Sequence, residues 1–183
     1  MTEPVPHPYR IDNEANREVI DEAAATEFLA SLVGRDDLRS RGMRVATLRN
    51  LGRLDEAERE GRAAYDLALR EGTPRQQVAA LIRLAHVMQF RRDWSTADAM
   101  FAEALARAQE LDEPLMLAFA YQHAGRNHVD QGRYAEAVAA FGRALALREA
   151  HDAPADQLES SRGALRVAER RLAEQRETHD SGS

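Results

Sequence analysis

Apolar residues return along this chain at two spacings. At short range they fall three or four apart, as in Val19, Ile20, Ala23, Ala24, Phe28, Leu29 and Leu32, which sets them on one face of a helix. At long range whole columns repeat every 40 residues: Leu54, Trp94 and Tyr134; Ala57, Ala97 and Ala137; Ala64, Ala104 and Ala144. Outside the N-terminal stretch, the prolines Pro74, Pro114 and Pro154 keep the same step. Alanine makes up about a fifth of the chain, so the proline and large apolar columns carry the weight. A fixed period of this length marks stacked units, each of which buries its apolar face only against its neighbours.

Glycine and proline punctuate the pattern. Gly52 and Gly132 mark short turns, with Arg92 at the corresponding place between them. Longer breaks end at the three prolines, each suited to a first helical position because its missing N–H has no partner there. Thr73 with Gln76 has the form of a capping box, and Ser95 with Asp98 a weaker version of it. Eight helices are predicted, over 13–33, 37–51, 55–71, 75–91, 95–111, 115–131, 135–150 and 155–176, the first capped by Asp12 or Asn13. The organisation that follows is a disordered tail at 1–12, a single helical domain over 13–176 and a disordered tail at 177–183. Within the domain, 13–36 is an N-terminal capping helix, 37–74, 75–114 and 115–154 are repeats, and 155–176 is a charged C-terminal capping helix.

Composition narrows the class. The chain has 183 residues, 44% of them hydrophobic but only 5% aromatic, which favours closely packed helices over strands. A net charge of −6 argues against a nucleic-acid binder, since phosphate neutralisation needs a basic surface. Cysteine is absent, which removes disulfides and thiolate chemistry, and every basic side chain other than histidine is arginine. The longest apolar run, Leu115 to Tyr121, is far short of the roughly 18 residues of a spanning helix. The start has no basic region and no hydrophobic core, so a secretory signal is not expected. A cytoplasmic protein without a membrane partner is the expectation.

The second half of each unit carries the most specific pattern. The third reads Gly132-x-Tyr134-x-x-Ala137-x-x-x-Phe141-x-x-Ala144; the second has Trp94, Ala97, Phe101 and Ala104, and the first Gly52, Leu54, Ala57, Gly61 and Ala64. This resembles the tetratricopeptide repeat, with its turn glycine, an aromatic two residues later and a small–large–small ladder. A HEAT-like array shares a period near 40; the glycine–aromatic turn favours the tetratricopeptide reading. The resemblance covers residues 37–172 and is similar to long-repeat forms of bacterial regulatory and scaffold proteins. It implies an all-α fold, a right-handed α-solenoid of stacked antiparallel helix pairs. In the first helices, Tyr121, Ala124 and Gly125 match the family's positions, as do Leu81, Leu84 and Ala85. Arg41, Arg44 and Val45 stand there in the first unit, which leaves that helix's register open.

No Gly-rich phosphate loop, no nucleophile triad and no His-Glu-x-x-His occurs, so neither an enzyme nor a cofactor or metal is expected. The resemblance implies that first helices line a concave face. Carried onto this chain, that face has Ala79, Ile82, His86, Gln89 and Phe90 in the second unit and Phe119, Gln122, Arg126, Val129 and Asp130 in the third. The C-terminal helix adds Arg162, Arg166 and Arg170, and the first unit Arg39, Arg49 and Asn50. Gly42 and Ala46 occupy the first unit's places for the family's C-terminal-carboxylate clamp, which is therefore not expected here. The partner-binding set is His86, Gln89, Phe90, Phe119, Gln122, Arg126, Asp130, Arg162 and Arg166, suited to a protein or peptide with acidic and apolar residues. The expected function is an adaptor or regulatory binding module. The alternatives are a self-associating homodimer or the sensory part of a transcriptional system acting in trans. The N-terminal helix either caps the array or occupies the groove.

Overall fold

The computed structural model of the chain describes residues 9–12 and 17–180, which fall into two compact units, one ending at Asp93 and the other starting at Trp94. In the first, strands β1 (Tyr9–Asp12) and β2 (Arg17–Ile20) pair antiparallel, with Tyr9 opposite Ile20. Helices α1 (Glu22–Ser31), α2 (Leu38–Asn50), α3 (Leu54–Glu71) and α4 (Pro74–Phe90) follow, α2 packing on α3, α3 on α4 and α2 on α4. The second unit holds α5 (Trp94–Glu110), α6 (Pro114–Asp130), α7 (Tyr134–Ala150) and α8 (Ala155–Asp180), each packed on the next. Consecutive packing of antiparallel helix pairs is the arrangement of an α-solenoid.

Two expectations need correction. A helix over 13–33 capped by Asp12 or Asn13 is not what forms: Asp21 is the cap, its Oδ1 accepting from the Ala24 N–H at 3.0 Å, and α1 is only ten residues long. Upstream, Val19 and Ile20 lie in β2, as β-branched residues favour. The expected disordered tail at 1–12 is likewise a strand over its last four residues, and residues 1–8 lie outside those described. At the other end α8 runs to Asp180, four residues past the expected stop, with no glycine or proline between Arg176 and Asp180 to break it. The rest of that tail, 181–183, also lies outside the described residues.

The repeat columns have structural meaning. Ala57, Ala97 and Ala137 are each fully buried, which lets neighbouring helices approach closely. Gly52 and Gly132 adopt φ of +72° and +73°, and Arg92 takes the same left-handed conformation at +60°, an unusual state for a residue with a Cβ. The turn geometry of the column thus persists where glycine is lost. Thr73 and Gln76 close the expected capping box in both directions.

Size complementarity is reversed between the first and third repeats. A Cβ on Gly125 would stand 2.6 Å from Phe141 Cε1, so α6 is small where α7 is large. In the first repeat the corresponding pair is Val45 and Gly61, large on α2 and small on α3, with a Gly61 Cβ position 3.7 Å from Val45 Cγ1. Leu84 also fills that gap, its Cδ1 3.0 Å from the same position. Arg41 and Arg44 do not disturb the register of α2. Both reach Glu60 on α3, Arg41 Nη1 at 3.1 Å and Arg44 Nη2 at 2.7 Å. Arg44 Nη1 also donates to the carbonyls of Leu32 and Arg35, closing the turn before α2.

A second polar column ties each second helix to the turn that follows the next first helix. Arg91 meets Asp55 at 2.5 Å and Glu58 at 3.4 Å in the first unit. Forty residues on from Glu58, Asp98 accepts from Asn127 Nδ2 at 2.5 Å, Gln131 Nε2 at 2.7 Å and Arg133 Nη1 at 2.9 Å. Asp98 is therefore spent on α6 and the turn after it, not on a capping box with Ser95.

Candidate functional site

The expected site residues fall in both units. In the first, His86 and Gln89 lie one helical turn apart on α4 and are buried, His86 Nδ1 and Gln89 Oε1 sharing a hydrogen bond of 2.7 Å. Phe90 closes the helix and is 45% exposed, with the Arg49 guanidinium 4.9 Å from its ring centroid. That geometry is a cation–π contact on an aromatic surface still open to solvent.

In the second unit, Phe119 is half-buried and meets the His123 ring edge-on, centroids 4.2 Å apart. Arg126 is half-buried on the same helix, and Asp130 is exposed at its end. Arg162 on α8 is held by the chain's own acids, Glu149 at 2.9 Å and Glu159 at 3.2 Å. Arg166, one turn further, is exposed and has no ion-pair partner among the described residues.

Gln122 leads to a feature the sequence reading missed. It is 3% exposed, and its Oε1 accepts from Ser161 Oγ at 2.7 Å and from Arg148 Nη1 at 3.4 Å. Arg148 Nη1 also donates to Ser161 Oγ at 2.6 Å and to the Gln157 carbonyl at 2.9 Å. Arg148 is 5% exposed, so a guanidinium is buried against neutral oxygens only. Burial lowers its pKa, the nearby Arg126 charge lowers it further, and Asp156 acts in the opposite direction. Two polar nitrogens remain without acceptors, Arg148 Nε and Gln122 Nε2. No carboxylate is therefore bonded to the buried guanidinium of Arg148.

The repeat columns show how unusual this cluster is. Arg148 stands where the earlier repeats have Ala68 and Ala108, Gln122 where the second has Ile82, and Ser161 where it has Leu81. Ala68, Ala108, Ile82 and Leu81 are all buried. Three core positions turn polar together and bond to one another. An arginine in an alanine column was the signal available in the sequence.

Among the described residues no group of three or more His, Asp or Glu is placed to hold a metal, and no helix is long and apolar enough to cross a membrane.

Helix pairs with small-residue seams, left-handed turns at a fixed period and side chains displayed from first helices define a helical-repeat protein. Residues 76–150 match the tetratricopeptide repeat family. The fold is similar to that of a solved structure titled "Crystal structure of BtubC (BKLC) from P. vanneervenii", with a TM-score of 0.54 at 17% sequence identity. The likeness covers 85% of this chain and 73% of that one, and at this identity it concerns the fold alone. No curated protein matches the sequence. Tetratricopeptide repeats generally mediate protein–protein contacts, and their fold is typically non-enzymatic.

Proposed function

We propose that the chain is an adaptor or regulatory module that holds a segment of a partner protein bearing acidic and apolar residues, and that α6 and α8 present the principal contact face. The observation that carries this reading is Arg148, a buried guanidinium bonded only to Gln122, Ser161 and the Gln157 carbonyl, with Arg126 nearby. A cation with no carboxylate bonded to it in a low-dielectric site favours an anion brought to the surface above it. Arg126 and Arg166 are the groups that meet the partner's carboxylates, and Phe119 offers apolar surface beside them. Gln122 works from beneath, orienting Arg148. Arg162 contributes less, because Glu149 and Glu159 already answer its charge. On the first unit Phe90 is the apolar contact, with His86 and Gln89 fixing the end of α4 behind it.

The test uses peptides selected from a random library by the immobilised full chain. Those retained by the wild type are expected to be rich in Asp or Glu with interspersed apolar residues. Arg126→Glu combined with Arg166→Glu should weaken their binding on the order of tenfold or more, a step of about 1.4 kcal/mol. Equal affinity for wild type and double variant would remove this reading.

A further inference from the structure

A cleft of about 190 Å³ opens in the first unit among α2, α3 and α4. Its walls are small or apolar, with Gly42, Gly61, Ala64 and Ala80 flanked by Leu38 and Val45. The repeat columns account for the space. Position 42 corresponds to Ile82 and Gln122 in the other two repeats, and position 61 to Phe101 and Phe141. All four of those side chains are buried. In the first repeat alone, both are replaced by glycine; Leu84 and Val45 close on position 61 and Arg83 on position 42, and the cleft is the space left between them.

The lining is also positively charged. Arg39, Arg83, Gln76 and Ala79 complete it, and no acidic side chain takes part. Arg83 reaches across the floor, its Nε 3.0 Å from where a Gly42 Cβ would stand. Arg39 is exposed and has no ion-pair partner among the described residues.

We propose that this cleft receives an aromatic side chain of a partner protein, carried next to a carboxylate that pairs with Arg39. An apolar cavity of about 150 Å³ suffices to bind benzene, so a phenyl ring fits the space. The absence of any acid from the lining leaves the charge of Arg39 to be answered by the incoming segment. None of these residues belongs to the face of α6 and α8, so the cleft stands or falls by itself.

The experiment titrates the isotope-labelled full chain with three capped tripeptides, Asp-Phe-Asp, Asn-Phe-Asn and Asp-Ala-Asp, and follows backbone amide shifts. Asp-Phe-Asp should move Gly42, Gly61 and Ala64 with a Kd on the order of 1 mM. The Asn version should bind at least about threefold more weakly and the Ala version without saturation. Ala79→Trp fills the cleft from a half-buried position on α4 and should abolish the shifts. Arg39→Glu, an exposed change, should erase the preference for Asp over Asn. Shifts absent from these residues at about 10 mM peptide overturn the proposal, as do equal responses to Phe and Ala peptides. A folded Ala79→Trp chain that still responds also overturns it. If Ala79→Trp does not fold, the wild-type titration and Arg39→Glu decide.

Discussion

Phe141→Ala should destabilise the chain by about 3–5 kcal/mol, the cost of deleting a buried ring whose surroundings relax only in part. Phe141 is fully buried in a cluster with Ala137, Ala164 and Ala168, and its ring is the only large side chain among those four buried residues. The other buried members of the cluster are alanines, and the Gly125 backbone also meets the ring, so only the partly buried Val129, Val138 and Leu165 around the cluster could relax toward the hole. Thermal unfolding should shift down by roughly 10 °C. The reciprocal change, Gly125→Ala, puts a methyl into the Phe141 ring and should cost about 1–3 kcal/mol. Adding Phe141→Leu to Gly125→Ala should cost less than the two single changes summed. A loss below about 1 kcal/mol for Phe141→Ala, or strict additivity in the pair, would show that this contact does not hold the repeat together.

Glu60→Ala should be the second large loss, about 2–3 kcal/mol by denaturant unfolding. One carboxylate oxygen takes N–H donors from Arg41 Nη1 and from Arg44 Nε and Nη2. The side chains are 21%, 21% and 14% exposed for Glu60, Arg41 and Arg44, too dry for water to replace the carboxylate cheaply. Without it, the carboxylate left to the two guanidinium groups is that of exposed Asp36, 2.9 Å from Arg41 and 3.5 Å from Arg44. Replacing all three residues by leucine should recover most of the loss, because desolvated ion pairs are often worth no more than well-packed apolar groups. If Glu60→Ala unfolds at the wild-type denaturant midpoint, the ion cluster is ornamental and α2 is held by Val45 and Leu48 alone.

That cluster also shows where the sequence was hard to read. Arg41 and Arg44 stand in columns that are apolar in the other repeats, so a reading by hydrophobic periodicity leaves the register of α2 open. The partner acid, Glu60, lies on another helix and in another column, and only three dimensions bring it to them. Turns were easier, because φ preferences are local: Gly52 and Gly132 marked left-handed positions, and the column carried the inference through Arg92. Local chemistry also located the Thr73–Gln76 cap. The N-terminus misled for the opposite reason. Val19 and Ile20 fit a helical face as well as a strand, and the competing cap at Asp21 lay inside the predicted helix.

The candidate site was legible in its first-helix residues and hidden in its second-helix one. Reading the face from α6 and α8 positions yields Phe119, Gln122, Arg126, Arg162 and Arg166, but Arg148 enters from α7 beneath them. Spacing within one helix cannot show that an arginine crosses to bond Gln122 and Ser161 on two others. Comparison down the column does show it, since Ala68 and Ala108 leave room only for a methyl. The two expected glutamine contacts, Gln89 and Gln122, are buried and bonded within the chain, which burial alone reveals.

The location of the bound segment is the most direct test of the functional account. An acidic peptide selected by the chain, carrying a photoreactive benzophenone, should on irradiation label α6 and α8, with adducts near Phe119, Arg126 and Arg166. That labelling should disappear in the Arg126→Glu, Arg166→Glu chain. Adducts confined to α5 and α7, with α6 and α8 unmodified, would contradict the account.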